Sequence, residues 1–195
     1  MKILIAVPTF ENIAPEVFKS IYDLKPAVHE LSFDFVKGYD CAEARNRIAK
    51  MSLDGGFDYV LMVDSDTVIP ADTLELMLED PVDICLGICP RKNTKEGKTA
   101  IIKADCQKWD GSYFYNELPE GRVKVKAGGF ACALVNTDVF RHTNEPWFRY
   151  AIFDDGSILS EDFYFCNNAS WIARAVIEAD CRVRCGHLAR YFQYE

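Results

Sequence analysis

Phe57-Asp58-Tyr59-Val60-Leu61-Met62-Val63-Asp64-Ser65-Asp66-Thr67 is an apolar run that ends on two carboxylates. The unbroken apolar residues from Tyr59 to Val63 fit a strand covered on both faces, since a half-covered strand alternates apolar with polar. Asp54-Gly55-Gly56 before it is turn chemistry. Residues two apart in extended chain share a face, so Asp64 and Asp66 are expected to converge just past the strand's carboxyl end. Two carboxylates held close repel unless a proton or a cation lies between them. Oxygen ligands favour a hard divalent cation, magnesium or manganese, and such an ion is expected to face a diphosphate. The competing reading is a solvated turn in an acidic protein.

The chain of 195 residues is 49% apolar and 13% aromatic, enough for one sizeable core and too apolar for disorder. A second domain is not required. The net charge of −8 leaves no evident basic face, which excludes a general polyanion binder and makes nucleic acid an unexpected partner. Phosphate recognition must then be local and metal-assisted. Met1-Lys2 leads into the short run Ile3 to Val7, which Pro8 stops; it is too short for a membrane span and lacks a cleavage region, so a cytoplasmic protein is expected. The eight cysteines form no CxxC pair and read as reduced, buried thiols. Cys181, Cys185 and His187 together offer three zinc ligands, but a fourth with supporting spacing is missing.

The opening strand, Lys2 to Val7, finishes in Pro8-Thr9-Phe10-Glu11-Asn12. Ligands of open α/β sheets collect at the carboxyl ends of strands, which makes Thr9 and Glu11 candidates for a base or ribose; an ordinary strand-to-helix loop stays equally open. Ala14 to Leu24 reads as a helix with Val17, Phe18 and Ile21 on one face. Leu31 to Val36 alternates like a half-covered strand. Asp40, with Glu43 three residues on, marks the start of a helix from Cys41 to about Leu53 that turns Ala44, Ile48 and Met51 inward. Arg45 lies in its second turn, either reaching a nucleotide or phosphate or simply solvated. A helix begins at Pro70, and Asp83 to Cys89 is a further buried strand. Pro90-Arg91-Lys92 follows it, two cations that meet a phosphate or acceptor or form a basic surface turn. The polar segment Asn93 to Gly97 reads as mobile, Thr99 to Ala104 and Gly121 to Lys126 as strands, and Trp109 to Pro119 as an aromatic loop between them.

Gly128-Gly129 precedes the buried strand Phe130 to Val135 and marks a close backbone approach, to a sugar or to a neighbouring strand. Pro146-Trp147-Phe148 offers an apolar platform for the C–H face of a sugar, or a piece of core. Ser160 caps a helix to about Ala173, whose first turn carries Glu161 and Asp162. The helix dipole stabilises acids there; the functional reading makes one of them a general base. Arg182 to Cys185 resembles a short strand ending at Gly186-His187, where a neutral imidazole either completes the cation's shell or bonds within a loop.

In their order and placement, Val7-Pro8-Thr9-Phe10-Glu11, Ala44-Arg45-Asn46, Val63-Asp64-Ser65-Asp66, Gly128-Gly129-Phe130, Pro146-Trp147-Phe148, Ser160-Glu161-Asp162-Phe163-Tyr164-Phe165 and Gly186-His187 resemble the small GT-A-fold nucleotide-diphospho-sugar glycosyltransferases similar to family two. The resemblance covers most of the chain and implies one α/β domain with a Rossmann-like, mixed but mostly parallel sheet flanked by helices. Its nucleotide-binding part would be about residues 1–92 and its acceptor and catalytic part about 93–195. By that likeness Pro8, Thr9, Glu11, Arg45, Asp64 and Ser65 line the nucleotide pocket, and Asp66, His187 and Asp64, the last through water, bind Mn2+ or Mg2+. Asp162 is the base, and Glu161, Gly128, Gly129, Trp147 and Arg91 hold sugar or acceptor. The implied reaction moves a sugar from a nucleotide diphosphate donor, UDP by default, to an unknown acceptor hydroxyl with inversion. The helix-rich acceptor subdomain of such enzymes is absent or much reduced, leaving room for a second copy or a partner protein to complete the acceptor site. Two other readings stand beside it. A sugar nucleotidyltransferase would need a Gly-rich basic loop after the first strand, which Pro8-Thr9-Phe10-Glu11 does not supply, and a binding subunit would keep the pocket without catalysis.

Overall fold

Both edges of β1 (Lys2–Thr9) are paired and both faces covered, so that Ile3 to Val7 are all buried. The computed structural model describes residues 1–25, 30–91, 97–106 and 111–188. Lys92, residues 93–96 and Trp109, singled out in the sequence, lie outside them. After β1 come α1 (Pro15–Tyr22), β2 (Glu30–Lys37), α2 (Cys41–Asp54), β3 (Tyr59–Val63), β4 (Thr67–Val68), α3 (Thr73–Leu78) and β5 (Ile84–Ile88). The second half adds β6 (Lys98–Lys103), β7 (Ser112–Phe114), β8 (Arg122–Gly128), β9 (Cys132–Asn136), α4 (Asp138–Arg141), β10 (Ala151–Ile152), β11 (Ile158–Leu159), α5 (Glu161–Ile172), β12 (Ile177–Arg184) and β13 (Gly186–His187).

One sheet of nine strands runs β2-β1-β3-β9-β5-β12-β8-β6-β7. β2, β1, β3, β5, β12 and β6 point one way; β9, β8 and β7 run against them. The expected mixed sheet is therefore present, and most strands share a direction. Parallel pairing, however, is confined to β2-β1-β3 and β5-β12, because β9 inserts between β3 and β5 in the opposite sense. One face packs on α2, α4 and α5 and the other on α1 and α3, giving two apolar layers. No helix among the described residues is long and apolar enough to cross a membrane.

Local chemistry explains most boundaries. The Asp40 carboxylate accepts from the Glu43 backbone N–H at 3.0 Å and caps α2, where an otherwise unpaired helical donor needs a partner. Three expectations fail. The stretch read as an aromatic loop from Trp109 to Pro119 contains β7, which pairs antiparallel with β6. Phe18 is 48% exposed and packs on Tyr22 and Phe33 rather than joining Val17 and Ile21 inside, because α1 meets the sheet near its β2 edge. β12 is far longer than Arg182 to Cys185, and its start is disguised by Asp180, a fully buried carboxylate held by Arg122 at 3.1 Å and Arg182 at 2.8 Å. The eight cysteines are free, and Cys181 and Cys185 sit in the cores on opposite faces of the sheet, so they do not share a zinc ion.

Candidate functional site

At the end of β3 the chain does not stay extended. Thr67 N–H donates to the Asp64 carbonyl at 3.0 Å, closing a turn over Asp64-Ser65-Asp66. Backbone bonds from Asp64 to Ala131, from Ala14 to Ser65 and from Leu188 to Asp66 tie that turn to the residue before β9, the start of α1 and the residue after β13. The alternation argument for converging carboxylates fails here, since in a turn the two side chains part. Asp64 turns to Arg45, whose Nη2 donates to Oδ1 at 2.8 Å. Asp66 turns to His187.

The Asp66–His187 meeting is built by backbone pairing. β13 lies antiparallel to β4, with His187 opposite Thr67 and Gly186 opposite Val68. His187 Nδ1 bonds the Pro90 carbonyl at 2.8 Å, which makes Nδ1 the donor, and Nε2 faces Asp66 Oδ1 at 3.4 Å. An imidazole lone pair opposite a carboxylate requires a proton or a cation between them. The Asp66 carboxylate, aided by Cys89 and the Pro90 carbonyl against the cost of burial, holds the imidazolium up to about 10. A carboxylate and an imidazole fit magnesium or manganese in chemistry, and donors each about 2.1 Å from one ion sit roughly 3 to 3.5 Å apart. No three candidate ligand side chains gather closely enough to hold an ion among the described residues. Asp66 and His187 are thus the pair that faces one ion position, while Arg45 holds Oδ1 of Asp64 and leaves it no more than the expected contact through water; a diphosphate and water would have to complete the shell.

A cleft of about 660 Å³, within the usual span of small-molecule sites, opens over these residues. Pro8, Thr9, Ser65 and Arg91 line it as expected, together with Gly129, Asp162, Asp64, Asp66 and His187. Asp162 Oδ1 accepts from Ser160 Oγ and from the Phe163 N–H at 2.8 Å, so the expected cap residue holds a side chain rather than a helix N–H. The other oxygen lies beside Gly129, where a Cβ would come within 3.5 Å of Asp162 Oδ2 and 2.9 Å of the Ala100 Cβ. A side chain at 129 would displace Ala100 of β6, while its Cβ would only touch the carboxylate at ordinary contact distance.

Several expected residues lie elsewhere. Gly128 is glycine because a Cβ would meet Ile101 and Leu86 at 2.6 Å, a packing reason rather than a sugar. Trp147 is 4% exposed, donates to the Phe140 carbonyl at 3.0 Å and packs edge-on against that ring, so it offers no platform. Glu11 is exposed outside the cleft lining. Arg45 is 3% exposed behind the cleft, pairing with Asp64 and with Glu161, itself buried. Its guanidinium is held charged because the two carboxylates outweigh burial, while burial raises the pKa of Glu161 and of Asp64.

Phe10 of the quoted strand-end motif lines the cleft as well, and so do residues the sequence did not flag for it, Tyr39, Cys89 and Tyr150 among them. Tyr39 follows the carboxyl end of β2, where the strand-end rule looks for ligands. Tyr150 carries no such signal; burial and then the Glu161 carboxylate beside it push its hydroxyl up to about 12.

No protein-family model matches the chain, and no curated protein matches its sequence. Solved structures do. A197 from STIV superposes with a TM-score of 0.67 at 16% identity, over 97% of this chain and 86% of that one. S. aureus TarS 1-349 in complex with UDP-GlcNAc gives 0.56 at 14% identity, over 99% of this chain and 60% of that one. GalNAc-T7 with UDP, GalNAc and Mn2+ gives 0.59 at 9% identity, over 98% of this chain and 45% of that one. At these identities the likeness is one of fold, and the fold is GT-A-like: α/β, with a mixed central sheet flanked by helices. The chain spans less than two thirds of either transferase.

Proposed function

We propose that the chain is a metal-dependent glycosyltransferase that moves a sugar from a nucleotide diphosphate, UDP first among them, to an acceptor hydroxyl with inversion. The observation that carries this is one cleft holding both the Asp66–His187 pair and the Asp162 carboxylate. The fold likeness to structures holding UDP-GlcNAc, or UDP with Mn2+, supports it.

In this reading Pro8, Thr9 and Ser65 line the nucleotide end, and Arg91 on the cleft wall meets phosphate or acceptor. Asp66 and His187 would hold the divalent cation, which would supply positive charge against the charge that develops on the departing diphosphate. Asp162 takes the acceptor's proton as its oxygen attacks C1 on the face opposite the diphosphate. The O–C1 bond forms as the C1–phosphate oxygen bond breaks, so no covalent enzyme intermediate is needed. Ser160 and the Phe163 N–H fix Asp162 Oδ1 for that task. Residues 1–92 supply most of the donor side, and a second copy or a partner protein completes the acceptor side.

Incubation with manganese and a panel of labelled nucleotide sugars tests the reading. Slow hydrolysis or transfer of one donor, lost in Asp162→Asn, is expected; a wild-type chain that consumes none contradicts it.

A further inference from the structure

We infer that Arg45 is a positioning residue: through Glu161 it sets the place of Asp162, and through Asp64 it ties that base to the donor end of the cleft. The inference rests on the transferase reading above. The Arg45 side chain is 3% exposed and absent from the cleft wall, so a nucleotide in the cleft does not reach it. Its two terminal nitrogens serve different carboxylates, Nη2 on Asp64 and Nη1 on Glu161, and its guanidinium carbon lies 5.9 Å from the Phe130 ring centre.

Those carboxylates belong to the end of β3 and the first turn of α5, and neither is near Arg45 in sequence. A guanidinium is a rigid planar fork that can hold two acids in fixed directions, whereas an ammonium is a point charge. Ala42, Ala44, Ile48 and Ala49 are buried around Arg45 on α2, so the fork is set by packing as well as by charge. Glu161 adjoins Asp162 in the same helical turn, and the Tyr150 hydroxyl lies close enough to feel its charge. Moving Glu161 therefore moves the base. A misplacement of about 1 Å at a reacting group can cost on the order of 10²-fold in rate.

The test compares wild type, Arg45→Lys, Arg45→Met and the double variant Arg45→Met/Glu161→Gln. Three quantities are measured: donor turnover, affinity for UDP with manganese, and thermal stability. Arg45→Lys should bind UDP within about 3-fold of wild type while kcat falls on the order of 10²-fold. Arg45→Met alone strands the buried Glu161 carboxylate and should melt early, and adding Glu161→Gln should recover most of the lost melting point without restoring kcat, since the remaining Asp64 carboxylate is a third exposed. Recovery of turnover in the stable double variant would reduce Arg45 to a structural role and overturn the inference. A loss of UDP affinity in Arg45→Lys that matches the loss in kcat/KM would overturn it too, making Arg45 a nucleotide contact. Wild type that turns over no donor removes the transferase reading and this inference with it.

Discussion

His187 Nε2 stands 3.4 Å from Asp66 Oδ1, and the Pro90 carbonyl fixes which ring nitrogen faces the acid. Without a cation the imidazole keeps its proton, its pKa raised from 6.5 to about 10 chiefly by Asp66. A divalent ion must displace that proton, so manganese affinity should rise about tenfold per pH unit between roughly pH 6.5 and 8.5. The proton's own stabilising contribution is fully present below the unfolded value of 6.5 and is lost as pH rises through about 10. Manganese titration by electron paramagnetic resonance checks the slope, and a pH-independent affinity would remove His187 from the ligand set.

Asp162 is expected to act on the acceptor and not on the nucleotide. Asp162→Asn should lower kcat by about 10² to 10⁴-fold and leave the affinity for UDP with manganese within about 3-fold of wild type. Single-turnover kinetics beside equilibrium binding separates the two effects. Full activity in the variant would strip Asp162 of its role.

Asn46 grips Phe148 with two reciprocal bonds, Nδ2 to its carbonyl at 2.8 Å and Oδ1 from its N–H at 2.9 Å. Asn46→Ala leaves both backbone groups of a buried residue unpaired and should cost about 2–3 kcal/mol. Urea unfolding should show a lower midpoint with an unchanged slope. An unchanged midpoint would mean that water replaces both bonds at no cost.

Asp180 governs acid stability outside the cleft lining, beside α3, where Arg122 and Arg182 also reach the Leu76 carbonyl. Burial pushes its carboxyl up, but hydrogen bonds from Arg182 and Arg122 outweigh burial and hold it below the usual carboxylate range. A depressed folded value means stability that is present above the unfolded value of 3.8 and lost as pH falls through the folded one. Asp180→Ala should cost about 3 kcal/mol at neutral pH, at the low end for a broken buried pair because Arg182 is partly solvated. Its penalty should shrink on acidification, whereas a penalty that stays constant down to about pH 2 would show that the charge is not what stabilises the fold there.

Elements with one dominant signal are legible in the sequence alone. Tyr59 to Val63 has no polar residue to confuse its reading, and Asp40 with Glu43 announces a helix start. Illegible were the places where a tertiary partner reverses a residue's usual habit. Arg45 reads as a solvated helical cation until Asp64 and Glu161 are brought to it from two other elements. Asp180 hides a long strand because its charge is neutralised by Arg182, two residues on in the same strand, and by Arg122 from the neighbouring β8. Trp147 resembles a surface platform but belongs to a cluster with Phe140 that only the fold assembles. The turn at Asp64-Ser65-Asp66 delivered one expected partner, Asp66 to His187, and diverted the other. Periodicity alone cannot tell where a strand's extended geometry stops.

The most direct test of the central claim is a thermal-shift titration of the chain with UDP, with manganese and with both, beside Asp66→Ala. Cooperative stabilisation is predicted, with UDP and manganese together raising the melting point well beyond the sum of each alone and Asp66→Ala abolishing the extra shift. A melting point indifferent to the pair, or an Asp66→Ala variant that responds like wild type, would contradict the account.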